Sequence, residues 1–188
     1  ARTRWRQYRG QSKRRVVSYA YRGASGSDKY QLPRSAPRRY RALNLKEDDE
    51  LINVFLTDGS ADVIIGTKYG YSVRFNEDAV RNMSRIATGV RGINLREGDQ
   101  VVGAGVISDT DEVLVITEKG YGKRTLASEY PTKGRGGKGI KTANITDKNG
   151  YLAGLMTIKG EEDLMIITNT GVIIRTNVAN ISQTGRAT

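Results

Sequence analysis

The sequence predicts an all-β protein, a propeller-like repeat of four-stranded blades about fifty residues long. Two observations predict it. An ordered series of motifs returns at that period, and each copy holds a short β-branched run closed by a glycine turn.

The first repeated motif is Leu43-Asn44-Leu45-Lys46-Glu47-Asp48-Asp49-Glu50-Leu51-Ile52, which returns as Ile93-Asn94-Leu95-Arg96-Glu97-Gly98-Asp99-Gln100-Val101-Val102. The second is Asp62-Val63-Ile64-Ile65-Gly66-Thr67-Lys68-Tyr69-Gly70, matched by Glu112–Gly120 and again by Asp163–Gly171. An arginine follows each closing glycine by four residues: Arg74, Arg124 and Arg175. The apolar runs inside these copies suit buried strands, and Lys119-Gly120 and Thr170-Gly171 suit hairpin turns, where glycine takes positive φ freely. Asn149-Gly150 predicts a further hairpin between Ile145 and the run 151–158. Glu77–Arg85 has room for a helical turn or two. The units are then a half blade at 40–60, blades at 61–110 and 111–161, and a half blade at 162–188.

Charge divides the chain differently. Of the 31 lysines and arginines, 13 fall in residues 1–41 against one acid, Asp28, while residues 42–188 hold 18 bases and 19 acids. The overall balance of +11 and the pI near 9.9 point to a polyanionic partner, nucleic acid first. Residues 1–39 lack the blade motifs and form a basic, Arg/Tyr-rich segment, a diverged blade or a tail. Trp5, Tyr8, Tyr19, Tyr21 and Tyr30 among its arginines suit stacking on unpaired bases, but the alternation in Val16-Val17-Ser18-Tyr19-Ala20-Tyr21 favours an outer strand pair.

Composition narrows the chemistry. Cysteine and histidine are both absent, which removes disulfides, thiolate and imidazole catalysis and the usual zinc ligands. Asp48-Asp49-Glu50 and Glu161-Glu162-Asp163 read as turn acids, so a hydrolase has no carboxylate pair to use, and no Walker-type loop is present. No catalytic residue and no cofactor are expected in this chain. A non-enzymatic scaffold binding acidic proteins is the competing reading. No run is long and apolar enough to span a membrane.

Basic residues clustered with glycine carry the sharper expectation. In Lys133-Gly134-Arg135-Gly136-Gly137-Lys138-Gly139, the missing side chains let backbone N–H groups approach a phosphate. Arg135 can bind phosphate in bidentate fashion and Lys138 supplies a mobile point charge. Lys141, Lys123 and Arg124 extend the field. Arg74, Arg124 and Arg175 should project at one height around a rim, or else form a ladder paired with Asp and Glu. Arg41 and Arg91 form another equivalent pair, as do Lys68 and Lys119.

Several segments resemble the C-terminal domain of the gyrase A subunit, from a type IIA topoisomerase: Ala87–Ile93, Lys119–Thr125, Ser128-Glu129-Tyr130-Pro131 and Gly134–Ile140. The resemblance covers residues 40–188. It implies a β-pinwheel, in which blades exchange strands with neighbours, and duplex DNA bent around a basic rim. It also implies an isolated domain that is monomeric. The partners it implies are the rest of a dimeric gyrase A subunit, together with the ATPase-bearing gyrase B subunit. ATP and Mg²⁺ belong to that holoenzyme, which works in the bacterial cytoplasm on the nucleoid. The family's signature box reads Gln-Arg-Arg-Gly-Gly-Arg/Lys-Gly. Here Lys133 and Gly134 replace its first two residues, while Arg135 to Gly139 match, as in a degenerate later copy. Gln7, Arg9 and Gly10 echo it weakly. The topoisomerase IV subunit has a related domain, and the Gly136-Gly137-Lys138-Gly139 run leans to gyrase.

Overall fold

The computed structural model describes residues 3–9, 15–22, 45, 49–81, 83 and 89–188, the first two stretches as backbone alone. Its strands run β1 (Thr3–Arg9), β2 (Arg15–Arg22), β3 (Glu50–Thr57), β4 (Asp62–Thr67), β5 (Tyr71–Asn76), β6 (Val90–Arg91), β7 (Val101–Ile107), β8 (Glu112–Thr117), β9 (Gly122–Leu126), β10 (Ile140–Lys141), β11 (Leu152–Ile158), β12 (Asp163–Ile167) and β13 (Ile173–Asn177). The described chain is all-β, as the period and the apolar runs predict.

The hairpins β4–β5, β8–β9 and β12–β13 are one device used three times. Gly70, Gly120 and Gly171 sit at φ 80°, 82° and 84°, and each donates its N–H to the carbonyl of Thr67, Thr117 or Thr168 at 3.0 Å. The same threonine hydroxyl accepts the N–H four residues on, from Tyr71, Tyr121 or Val172. Threonine thus closes the turn with backbone and side chain together, while glycine takes the left-handed position a Cβ would oppose. Each hairpin leads into a single 3-10 turn: Glu77–Ala79, Ala127–Glu129 and Val178–Asn180. Asn76 and Asn177 cap the outer two with their side-chain oxygens.

Strands pass between units. β4 pairs with β5 on one side and β7 on the other, and β10 of the following unit joins the free edge of β5, Ile140 opposite Ser72. The matching short strand β6 leaves its own unit to pair with β1. This exchange is the pinwheel feature that the resemblance implies. β1 and β2 pair antiparallel over seven positions, the strand pair predicted by the alternation at 16–21, and with β3 and β6 they build a four-stranded sheet. Residues 1–39 therefore contain strands although they lack the blade motifs.

Both faces of the central strands are buried. In β4, Val63 and Ile65 pack with Val73, Phe75, Ile93 and Val101, while Ile64 turns to the next cluster with Val113, Val115, Leu152 and Leu155. Leu114 repeats the step, joining Ile158, Leu164 and Val178. A side chain from each of the first two hairpins thus fills the core beyond it, which explains the unbroken apolar runs there.

Asn149-Gly150 corrects one expectation. Gly150 has φ 72° and donates to Thr146 O at 2.9 Å, so a turn is present. It closes no hairpin, because β11 pairs with β8. In Glu77–Arg85 the described helical part is the 3-10 turn Glu77–Ala79.

Candidate nucleic-acid interface

The Gly-rich loop is laid across the preceding unit. Lys133 N donates to Arg74 O at 2.8 Å, and β10 returns beside Ser72 and Tyr71. Between these anchors, Gly136 N donates to Gly92 O at 2.6 Å and Asn94 N to Gly137 O at 2.8 Å. Arg96 donates to Lys138 O at 3.0 Å, and its guanidinium carbon lies 3.3 Å from the centre of the Tyr71 ring.

The four described glycines of the box divide into two kinds. Gly136 and Gly139 lie at φ 78° and 75°, and a Cβ on Gly139 would stand 2.7 Å from Ser72 O; the fold itself requires both. Gly134 and Gly137 lie outside the left-handed region, with nothing closer than 4.0 Å to a Cβ built on either. The fold leaves room there for a side chain that the sequence does not supply.

Beneath the loop is a cavity of about 180 Å³, lined by Ser72, Lys133, Gly134, Gly137, Lys138 and Gly139 among others. Lys133 and Lys138 are exposed at its mouth. The Ser72 hydroxyl is buried and has no hydrogen-bond partner. A hydroxyl in that condition is costly unless something supplies the missing bond. A larger cavity, about 660 Å³, is lined by Asp58, Asp62, Asp109, Asp111 and Glu162, the wrong charge for a phosphate. Three of these acids serve turns: Asp58 accepts from Ser60, Asp111 from Ser108, and Glu162 from Lys159 and Glu161. The bonds from Ser60 to Asp58 and from Lys159 to Glu162 hold both carboxyls below their ordinary range.

Two of the three arginines in the series turn inward, and all three pair with an acid across their hairpin. Arg74 is 7% exposed; it bonds Asp62 at 2.8 Å and Asp109 at 2.6 Å, and donates to Ala127 O and Tyr130 O in the next unit. Arg124, 17% exposed, pairs with Glu112 at 2.9 Å and reaches Ile181 O and Ala179 O. Arg175, 72% exposed, pairs with Asp163. For Arg74 and Arg124 the reason is burial: a strand residue covered by the next unit needs its charge neutralised. Lys123 also turns inward, donating to the carbonyls of Gly185, Arg186 and Thr188. Its pKa is lowered, chiefly by burial and also by Arg186, against the opposing pull of Glu129.

The other cations remain near the surface. Lys141 is exposed and donates to Asn144 Oδ1 at 2.9 Å. Lys119 reaches the Asp147 carbonyl, and Lys68 lies over the Tyr151 ring at 4.7 Å. Arg91 is exposed, while its carbonyl receives a bond from Arg135 at 3.2 Å. Arg41 lies outside the described residues. Arg135 also donates to Ala79 O at 2.8 Å. Sequence reasoning missed Ser72, which carries no pattern, and Arg186, which the pairing of Gly185-Arg186 with Gly134-Arg135 would have found.

Among the described residues, no group of three or more potential metal ligands is gathered, and no helix is long and apolar enough to cross a membrane. A family model described as DNA gyrase C-terminal domain, beta-propeller, matches residues 37–58, 61–108, 111–159 and 162–188. The A subunit of DNA gyrase from Streptococcus pneumoniae is 76% identical over 148 residues, 79% of this chain and 18% of that protein. The Staphylococcus epidermidis subunit is 58% identical over 148 residues, 78% of this chain and 17% of its own length. The chain thus spans less than a fifth of these relatives. Among solved structures, the C-terminal domain of DNA topoisomerase IV aligns over 99% of this chain and 55% of its own, with TM-score 0.79 and 24% identity, a likeness of fold. A DNA gyrase A C-terminal domain aligns over 68% of this chain and 44% of its own, with TM-score 0.64 and 27% identity. With matches over four successive segments and that level of identity, the chain belongs to the DNA gyrase C-terminal domain family.

Proposed function

We propose that this chain binds duplex DNA and bends or wraps it, as the C-terminal part of a gyrase A subunit. The observation that carries the reading is the Gly-rich loop: two glycines the fold does not need, two exposed lysines, and a buried hydroxyl lacking a partner, all around one small cavity. Glycines free of steric demand inside the chain suit the close approach of a phosphate from outside it. Lys133 and Lys138 are the first contacts, with Lys141, Arg91, Lys119 and Lys68 extending the path. Such contacts read charge and shape, not base sequence. Smooth bending of some tens of base pairs costs roughly 1–6 kcal/mol, which several phosphate contacts offset.

In the holoenzyme this wrapping presents DNA for strand passage and so gives ATP-dependent negative supercoiling. The partners there, in the bacterial cytoplasm, are the remainder of the gyrase A subunit, together with the ATPase-bearing gyrase B subunit, which takes ATP and Mg²⁺. The test is topological: relax and ligate a nicked plasmid with the chain bound, then read its linking number at two salt concentrations. A positive shift that fades with salt and disappears in the K133A/K138A double variant supports the proposal. Binding without a shift assigns bending alone, as in a topoisomerase IV-like domain. Absence of binding overturns it in favour of a protein scaffold.

A further inference from the structure

Arg135 and Arg186 occupy the same joint in successive units. Arg135 Nε donates to Ala79 O at 2.8 Å and its Nη1 to Arg91 O at 3.2 Å. Arg186 Nε donates to Glu129 O at 3.1 Å and its Nη1 to Lys141 O. Ala79 and Glu129 each end a 3-10 turn, and Arg91 and Lys141 each end a two-residue strand. In both cases those acceptors belong to the unit before the arginine. The chain just ahead of each arginine is anchored alike, Lys133 N to Arg74 O at 2.8 Å and Thr184 N to Arg124 O at 2.9 Å.

The surroundings are what differ. Arg135 stands among Lys133, Gly134, Gly136 and Gly137, whereas Arg186 stands among Thr184, Gly185, Ala187 and Thr188. The arginine and both its contacts persist where Thr184, Ala187 and Thr188 stand in place of Lys133, Gly136 and Gly137. A planar guanidinium meets two carbonyls on separate segments at once, which an ammonium on a flexible stem does not reproduce. We infer that Arg135 is a positioning residue: it staples the Gly-rich loop to the turn and short strand of the unit before it, leaving phosphate contact to Lys133 and Lys138. The inference rests on the DNA-binding reading for its consequence, but not for its geometry.

The decisive comparison is R135K against R135A in the full chain, with K138A and R186A beside them, each checked by thermal melting for a folded state. A staple predicts that R135K, although it keeps the charge, binds duplex DNA as poorly as R135A, about tenfold below the parent. It also predicts that R186A keeps full affinity while melting earlier. K138A should lower the slope of log K against log salt by about 0.9. Amide exchange reads the staple without DNA: the Gly136 N–H, bonded to Gly92 O, should exchange faster in R135K and R135A and as before in K138A. Near-parental affinity in R135K, or unchanged Gly136 exchange in both Arg135 variants, would overturn the inference. If the parent binds no DNA, the functional proposal falls and the exchange result alone decides the staple.

Discussion

Arg74 Nε lies 2.8 Å from Asp62 Oδ2 across the β4–β5 hairpin, and the pair is repeated as Arg124 with Glu112 and Arg175 with Asp163. Exposure of the arginine rises along the series, 7%, 17% and 72%, while the chemistry stays the same. The series therefore measures how burial changes the worth of one ion pair.

Arg74→Ala should destabilise the chain by about 3–5 kcal/mol, because it leaves a largely buried carboxylate without its counter-charge and removes donors from two carbonyls. Arg175→Ala should change stability by about 1 kcal/mol or less, since solvent screens that pair. For a chain of this size each kcal/mol moves Tm by roughly 2–4 °C. Thermal melts of the two variants check the ranking, and equal losses would show that the Arg74 joint carries no special load.

This series also marks where sequence ceased to be informative. The period, the hairpins and their glycine turns were legible because each is local: an apolar run and a glycine at fixed spacing. That Arg74 would be buried was not, because its partners Ala127 O and Tyr130 O lie in the following unit. The repeat shows that an arginine recurs without showing which side its neighbour covers. The same holds for Lys123, whose acceptors begin at Gly185, and for Ser72, which is sealed by β10. Lys133 and Lys138 were legible as exposed cations because glycines surround them and no apolar pattern claims them.

Asp62 gives the fold an acid limit. Burial pushes its carboxyl up, but hydrogen bonds from Thr132, Asn76 and Arg74, with the Arg74 charge, more than offset this and hold it below the ordinary range. A carboxyl depressed in the folded state contributes stability that is complete above its unfolded pKa, near 3.9 for aspartate, and is lost as pH falls through the folded value. Urea midpoints should therefore be flat above about pH 5 and drop below about pH 4. Asp62→Asn should lower the plateau and make that drop shallower. An unchanged acid limb would remove Asp62 from the account.

Gly139→Ala and Gly134→Ala should separate folding from binding. Alanine at Gly139 meets both a φ of 75° and Ser72 O at 2.7 Å, so it should destabilise by about 1–3 kcal/mol. Alanine at Gly134 meets nothing within 4 Å and should leave Tm within about 1–2 °C of the parent. If a phosphate approaches there, the added methyl should still weaken DNA binding severalfold in a filter or anisotropy titration. A parental affinity in Gly134→Ala would mean that the glycine serves neither fold nor ligand.

Backbone comes close to glycine where β11 crosses β7. A Cβ on Gly103 would stand 2.2 Å from Leu155 O and 2.9 Å from Leu155 N, and one on Gly66 would stand 2.5 Å from Leu155 Cδ1. The first obstacle is backbone, held in place by the β8–β11 ladder, whereas the second is a side chain whose nearest atom is its terminal methyl. Gly103→Ala should therefore force the two units apart and destabilise by about 1–3 kcal/mol or more, with loss of cooperativity in the melt. Gly66→Ala should do less, and combining it with Leu155→Ala should recover part of its own strain, because Cδ1 and Cγ are removed while Leu155 Cβ, at 2.9 Å, remains. If Gly103→Ala melts like the parent, the units do not pack through this contact in solution, and the apolar seam carried by Ile64 must hold them together without it.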